Sequence, residues 1–171
     1  MVERVAFAPL RRRHAEPLLA AGFFDGALAY YDAHHPEFAL AEVSMGNPHA
    51  VIRHDDPDAV VATVGPLVEN SPRFPDRTNV EFIRRDGPGE ITMRVWERGA
   101  GLTRACGTGA CATAVAAIRR GLVKSPVRVT LPGGDLTIAW GPGGSIIMSG
   151  PATTSFTGTF DWDDYAAGAA R

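Results

Sequence analysis

Cys106 lies in the segment Arg-Ala-Cys-Gly-Thr-Gly at residues 104–109, directly before the most regular helical pattern of the chain. The unpaired N–H groups and the dipole of a helix N-terminus lower the pKa of a thiol placed there, and the thiolate is the reactive form. The same N–H groups bind anions such as the α-carboxylate of an amino acid. The segment therefore predicts a catalytic thiolate beside a carboxylate site, against the alternative of a small buried cysteine.

Cys111 is the second cysteine, and it follows Cys106 by five residues on the same predicted helix. At that spacing the two side chains diverge, so we expect neither a disulfide between them nor a thiol opposing Cys106 across a substrate. The five histidines have no metal-ligand spacing, and we expect no metal site. These histidines are His14, His34, His35, His49 and His54.

Glu97 and Arg98 end a predicted strand and are followed by glycines. A carboxylate there can bind an ammonium group, and a guanidinium can bind a carboxylate in bidentate fashion. The alternative is an exposed ion pair at a strand terminus.

Asn47, His49 and Asn79 are polar residues beside predicted turns or strand ends. Each asparagine is either a turn former or a contact to a polar ligand. His49 either exchanges or orients a proton, or is a histidine satisfied at a turn.

The composition is that of an ordinary globular domain, with 171 residues, 45% hydrophobic and 21% charged residues, and a net charge of −2. This charge gives no basic surface for nucleic acid and favours small metabolites as partners. No apolar segment approaches the roughly 20 residues that cross a bilayer, and no signal peptide pattern follows Met1. We therefore expect a soluble, cytoplasmic protein that contacts neither nucleic acid nor membrane.

The pattern of elements predicts an α+β fold in which antiparallel strands wrap around a central alanine-rich helix. That helix begins at Gly107 or Thr108, runs to about Arg120 and is stopped by Gly121. Alternating apolar residues and turn signals predict the strands. They lie at 42–45, 50–54, 79–84, 91–96, 127–131, 136–140, 145–148 and 156–160, with Pro132-Gly-Gly134 as a hairpin turn.

A shorter helix is predicted to begin at Pro57, with Asp56 as its N-cap, and to stop at Gly65-Pro66. Residues 1–42 are less regular, with an expected strand at 5–9, a helix at 15–24 and a loop at 30–38.

Four segments occur in an order that closely resembles diaminopimelate epimerase, a racemase family that uses no pyridoxal phosphate. They are Val43-Ser-Met-Gly-Asn-Pro-His-Ala50, Thr78-Asn-Val-Glu-Phe82, Arg94-Val-Trp-Glu-Arg-Gly-Ala-Gly101 and Ala105-Cys-Gly-Thr-Gly-Ala-Cys-Ala112. Pro132-Gly-Gly134 and Gly150-Pro-Ala152 follow, so the resemblance covers most of the chain. Gly101-Leu-Thr103 departs from the family, which more often has glutamate before the threonine.

The resemblance implies cofactor-independent interconversion of LL- and meso-diaminopimelate in lysine and peptidoglycan biosynthesis. It implies that Cys106 is one of two cysteines exchanging the α-proton from opposite faces, supported by His49 and Glu97. It also implies that the substrate is held by Asn47, Asn79, Glu97, Arg98, Gly107 and Thr108.

The family's first cysteine lies in an N-terminal half of similar fold, in a Cys-Gly-Asn-Gly type of motif that this sequence lacks. The resemblance therefore implies the C-terminal half of a two-domain fold, inactive alone, whose partner is the missing half. Residues 43–161 form the matching domain, 1–42 an interdomain segment and 162–171 a tail. The uncovered interdomain surface favours association, including a homodimer.

Two alternatives remain. The chain is a non-catalytic binding domain that retains the site, or it is another cofactor-free amino-acid racemase of the same fold. Phenazine-type isomerases fit less well, because they lack the cysteine of the Ala-Cys-Gly-Thr-Gly motif.

Overall fold

A computed structural model describes residues 40–141 and 144–162, and the elements expected at 5–9, 15–24 and 30–38 lie outside these residues. The described part contains two helices, α1 (Pro57–Glu69) and α2 (Gly107–Arg119). Its strands are β1 (Ala41–Ser44), β2 (Pro48–Arg53), β3 (Asn79–Gly87), β4 (Glu90–Glu97), β5 (Gly101–Thr103), β6 (Val127–Leu131), β7 (Gly134–Trp140) and β8 (Ile146–Ser149).

All eight strands form one sheet in the order β1-β2-β3-β4-β6-β7-β8, with β5 paired to β4. The sheet is mixed, because β2 pairs with β3 and β4 pairs with β6 in parallel. The expectation of antiparallel strands throughout is therefore wrong. The physical reason is that α1 connects β2 to β3, and β5 with α2 connects β4 to β6, and such crossovers return the chain in its original direction.

The two helices pack on opposite faces of the sheet, which gives an α+β fold with two apolar layers. On the α1 side, Val80 and Phe82 of β3 join one buried cluster, and α1 contacts β3, β4 and β5. On the α2 side, Ile83 of β3 and Met93 of β4 join the other cluster. Central strands covered on both faces leave little alternation of polar and apolar residues.

Helix α2 starts and ends as expected, with Cys106 as its N-cap and Gly121, at a φ of 70°, just beyond its end. It contacts β1, β2, β3, β6, β7 and β8. Seven strands spaced by about 4.8 Å would span roughly 29 Å if flat, which is far wider than a helix about 10 Å across. A flat sheet could not make all of these contacts, so the sheet is curled.

Helix α1 begins as expected, since Pro57 is its first residue and Asp56 Oδ1 accepts a hydrogen bond from Ala59 N. It does not stop at Gly65-Pro66 but continues to Glu69. Gly65 packs against Trp96, and a Cβ added to Gly65 would come within 2.6 Å of Trp96 Cβ and 2.8 Å of Cγ in its ring. Tertiary packing of this close contact, together with the burial of the last turn, overrides the local stop signal.

The hairpin expected at Pro132-Gly-Gly134 is confirmed, because Leu131 pairs with Gly134 across a two-residue loop. The strand expected at 156–160 is wrong, because the chain from 150 to 161 pairs with no described strand. Phe156 and Phe160 are 87% and 75% exposed, so their apolar side chains lack a described surface to pack on.

Among the described residues, no helix is long and apolar enough to cross a membrane.

Candidate functional site

The turn between β1 and β2 carries Asn47 to the N-terminus of α2, and His49 follows it on β2. Asn47 accepts a hydrogen bond at Oδ1 from Nε2 of His49 at 3.1 Å. Its amide nitrogen donates to Oγ1 of Thr108, in the first turn of α2, at 3.4 Å. The structure thus joins three residues that the sequence placed in two separate motifs.

His49 is fully buried, and its Nδ1 lies 2.6 Å from Oε1 of Glu81 on β3. Burial raises the pKa of the Glu81 carboxyl above its ordinary value, although its hydrogen bond with His49 opposes the rise. The second oxygen, Oε2, has no hydrogen-bond partner in the described structure. Sequence reasoning missed Glu81, even though it lies within the quoted Thr78–Phe82 motif.

Cys106 caps α2 with its own side chain, because Gly109 N donates to Sγ at 3.4 Å. Oγ1 of Thr108 lies 3.6 Å from the same sulfur. Burial nevertheless raises the pKa of the Cys106 thiol, the two hydrogen bonds oppose this, and negative charge on Glu81 or on Glu97 adds to the rise. This direction is opposite to the lowered pKa that the sequence predicts for a thiol at a helix N-terminus, and burial of the sulfur is its largest cause.

Gly107 and Thr108 occupy the first two positions of α2. The next two N–H groups are used locally, by Sγ and by the carbonyl oxygen of Cys106. Within the described structure, the N–H groups of Gly107 and Thr108 have no acceptor, and the Thr108 side chain is exposed. Two oriented donors at a helix N-terminus can hold a carboxylate.

Asn79 links the two loops of the site through its side-chain amide. Its Nδ2 donates to the carbonyl oxygen of Pro48 at 2.9 Å, and its Oδ1 accepts from Arg98 N at 2.9 Å. Each amide atom retains a further hydrogen-bonding position. Asn79 thus holds the Asn47 turn and the Arg98 loop together.

Glu97 and Arg98 do not pair with each other. Oε1 of Glu97 accepts from Oγ1 of Thr103 at 2.5 Å. The exposed Arg98 donates from Nη1 to the carbonyl oxygen of Asp76 at 3.1 Å. The alternative of a simple surface ion pair is therefore wrong, since each residue has a separate partner.

Glu69, at the end of α1, anchors the loop that contains Arg98 and Gly99. Sequence reasoning did not identify it. Its Oε1 accepts from Gly99 N at 2.8 Å, and its Oε2 accepts from Nε1 of Trp96 at 2.7 Å. Arg77 lies 3.4 Å from the same carboxylate, whose side chain is only 7% exposed. The continuation of α1 past Pro66 is what delivers Glu69 to this position.

A cleft of about 770 Å³ opens beside these residues. Asn47, His49 and Arg98 line it, together with Phe74 and Asp76, whereas Cys106 and Glu97 are not part of its lining. Asn47 therefore stands between the cleft and the start of α2.

Cys111 is half-buried inside α2, against the apolar cluster on that side of the sheet. Burial raises the pKa of its thiol, and Cys106 adds to the rise. Among the described residues, no group of three histidine, cysteine, aspartate or glutamate side chains is arranged to hold a metal ion.

Comparison with known proteins gives one consistent result. The family model for diaminopimelate epimerase matches residues 41–155. Diaminopimelate epimerase of Erythrobacter litoralis is 57% identical over 129 residues, which are 75% of this chain and 48% of that protein. The enzyme of the same name from Ralstonia nicotianae is 59% identical over 126 residues, covering 72% of this chain and 43% of its own length.

Solved structures give a weaker likeness. A PhzF-family phenazine biosynthesis protein of Bacillus anthracis has a TM-score of 0.47 and 22% identity, over 61% of this chain and 34% of that one. The assignment thus comes from the sequence comparisons. The chain spans about half the length of the curated relatives it matches. On the matched residues, the chain belongs to the diaminopimelate epimerase family.

Proposed function

We propose that this chain is the C-terminal half of a diaminopimelate epimerase that interconverts the LL and meso forms without a cofactor. The observation that carries the proposal is the convergence at Cys106, where an N–H group and a hydroxyl meet one sulfur beside two unused helix N–H donors. Together with the family membership, this arrangement supports a thiol that handles a proton next to a bound amino-acid carboxylate.

The substrate carboxylate binds to the N–H groups of Gly107 and Thr108, which are oriented and without acceptors. Asn47 and Arg98 face the adjacent cleft and bind the remaining polar groups. Asn79 and Glu97 complete the substrate contacts, as the family resemblance implies. A carbanion-like transition state is high in energy, and such preorganised donors stabilise it more than water does.

Cys106 begins a cycle as a thiol, in keeping with its raised pKa. A cysteine thiolate from the other half removes the α-proton on one face and becomes a thiol. Cys106 delivers its own proton to the opposite face and is left as a thiolate. In the reverse direction the two sulfurs exchange roles, so the proton count balances in both directions. His49 and Glu97 have a supporting role in this chemistry.

The second base comes from the N-terminal half, which is the partner of this chain. Residues 43–161 form the C-terminal domain with α2 at its centre, 1–42 an interdomain segment and 162–171 a tail. Support comes from the matched share of the relatives and from large apolar residues left exposed on β8 and beyond it. These are Ile147, Met148, Phe156 and Phe160. Without that half, copies of the chain associate through the same surface.

The test is exchange of the diaminopimelate α-proton for solvent deuterium, followed by mass spectrometry. We expect no exchange at enzymatic rates by the purified chain, and exchange after mixing with the half of the Erythrobacter litoralis relative that this chain does not match. Interconversion of the LL and meso forms is followed in the same mixture by chiral chromatography. Cys106→Ala abolishes this interconversion, because no proton reaches the opposite face, whereas Cys111→Ala retains it as the matched control. Rapid exchange by the chain alone contradicts the two-half requirement, and interconversion that survives Cys106→Ala contradicts the role of Cys106.

A further inference from the structure

Four consecutive side-chain contacts connect a buried carboxyl group to the Cys106 sulfur. Glu81 Oε1 lies 2.6 Å from His49 Nδ1, and His49 Nε2 lies 3.1 Å from Asn47 Oδ1. Asn47 Nδ2 lies 3.4 Å from Thr108 Oγ1, and that oxygen lies 3.6 Å from Cys106 Sγ. The proposed function uses His49, Asn47 and Thr108 but gives no task to Glu81.

The orientation of the Asn47 amide sets the direction of the hydrogen bonds on both of its sides. An amide oxygen only accepts, so Nε2 of His49 must carry the hydrogen that it donates to Oδ1. An amide nitrogen only donates, so Thr108 Oγ1 accepts from Nδ2 and keeps its own hydrogen free for Sγ. From His49 onward, each hydrogen bond in this series therefore donates toward the Cys106 sulfur.

The Glu81 end completes this direction when the carboxyl group is protonated. With the hydrogen of His49 on Nε2, a neutral ring offers Nδ1 as an acceptor, and only the acid form of Glu81 can donate to it. The alternative, an ionised Glu81 beside an imidazolium, would leave Oε2 as a buried charged oxygen without a partner. Burying such an oxygen costs far more than burying the carbonyl oxygen of an acid.

We infer that Glu81 is a positioning residue. As a protonated acid, it sets the direction of this whole series of hydrogen bonds, so that the Thr108 hydroxyl donates to the Cys106 sulfur. The thiolate left after Cys106 gives up its proton then meets two donors already in place, Thr108 O–H and Gly109 N–H. The catalytic role of this hydrogen-bond network rests on the proposed function, but the network itself involves no substrate.

The titratable groups around this chain are few. Negative charge on Glu97, on β4, acts on both Glu81 and Cys106, and His49 on β2 contacts Glu81 directly. Glu81 itself acts on Cys106 by its charge only when it is ionised. Cys111 follows in α2 and is influenced by Cys106. In a Cys111→Ala background, Cys106 is therefore the only thiol, and the hydrogen bonds from Glu81 to Cys106 are unchanged.

The first test measures the pH midpoint of Cys106 alkylation by iodoacetamide in that background. Glu81→Gln places an amide N–H where the acid O–H was, and we expect an unchanged midpoint. Glu81→Met removes the donor, so the midpoint rises by about one pH unit. Thr108→Val raises the midpoint by a similar amount. The effects of Glu81→Met and Thr108→Val are not additive, because both substitutions interrupt the same series of hydrogen bonds.

An ionised Glu81 predicts the opposite sign. Removing a negative charge near the sulfur would lower the midpoint in both Glu81→Gln and Glu81→Met, and that result overturns the inference. Circular dichroism melting of each variant verifies that it is folded.

The second test needs no substitution at Glu81. Nitrogen-15 NMR of the full chain, with His49 assigned by comparison with His49→Gln, reports which ring nitrogen carries hydrogen. We expect hydrogen on Nε2 and none on Nδ1 at neutral pH. Hydrogen on Nδ1 overturns the inference even if Glu81→Met fails to fold. Both tests run without diaminopimelate, so a failed epimerase assay leaves their outcome intact.

Discussion

Oε1 of Glu81 lies 2.6 Å from Nδ1 of His49, and neither side chain is exposed to solvent. The two residues lie on adjacent parallel strands, where His49 is in register with Asn79, two residues before Glu81. Register thus places both side chains on the face of the sheet covered by α2. The Glu81 carboxyl group lies among β2, β3 and α2, so its protonation is coupled to folding.

The pH dependence of stability provides the first prediction. Because the pKa of Glu81 is raised by burial, the folded state binds a proton that the unfolded state releases near pH 4.3. The stabilisation is complete below that pH and is lost as pH rises toward the raised folded pKa. Within this window, the free energy of unfolding falls by up to about 1.4 kcal/mol per pH unit relative to Glu81→Gln.

Urea denaturation of both proteins at several pH values measures this difference. Glu81→Gln has the same shape and no titrating proton, so it serves as its own control for packing. Parallel curves for the two proteins from pH 4.5 upward would show that Glu81 titrates normally in the folded chain.

Local signals were sufficient where a residue acts on its own neighbourhood. Asp56 caps α1 and Cys106 caps α2 through hydrogen bonds three residues ahead, and Gly121 ends α2 with a φ of 70°. The hairpin between β6 and β7 follows from its glycines in the same way. Such features depend only on a few consecutive residues, so they can be predicted from the sequence.

The missed features all depend on contacts between distant segments. Glu81 lies 32 residues from His49, and its burial arises only when α1 returns the chain to place β3 beside β2. Glu69 lies 30 residues from Gly99, and its role required α1 to pass through a proline that locally signals a stop. The pKa of Cys106 depends on the depth of the sulfur in the fold, which a helix N-cap pattern does not reveal.

Gly109 tests how tightly the site is packed. A Cβ at this position would come within 2.8 Å of Glu81 Oε1 and 3.2 Å of Cys106 Sγ. Alanine favours a helix over glycine by about 0.5–1 kcal/mol, but here the buried carboxyl group cannot move aside freely. We expect Gly109→Ala to destabilise the chain by about 1–3 kcal/mol, measured by urea denaturation.

The matched control is Gly158→Ala, where an added Cβ has no neighbour within 4 Å. Its effect should stay within about 0.5 kcal/mol. If Gly109→Ala instead stabilises the chain, helix propensity dominates and the close contact with Glu81 is absent in solution.

Glu69 provides the last prediction, because its two oxygens each accept from a different N–H group, on Trp96 and on Gly99. Glutamine has the same shape but only one accepting oxygen, so Glu69→Gln turns an amide N–H₂ toward one of these donors. Leaving a buried donor unsatisfied costs about 1–3 kcal/mol, and we expect that loss in the free energy of unfolding.

Asp58 is an acidic residue on the same helix and gives the comparison. Its side chain is 64% exposed and pairs with Arg94, and exposed ion pairs contribute about 1 kcal/mol or less. Asp58→Asn should therefore lower stability less than Glu69→Gln. Because Glu69 also accepts a hydrogen bond from Trp96 Nε1, Glu69→Gln should quench or shift Trp96 fluorescence in the folded chain, whereas Asp58→Asn leaves the spectrum unchanged. Equal losses of stability with unchanged spectra would mean that Glu69 is only a surface charge and does not anchor the Arg98 loop.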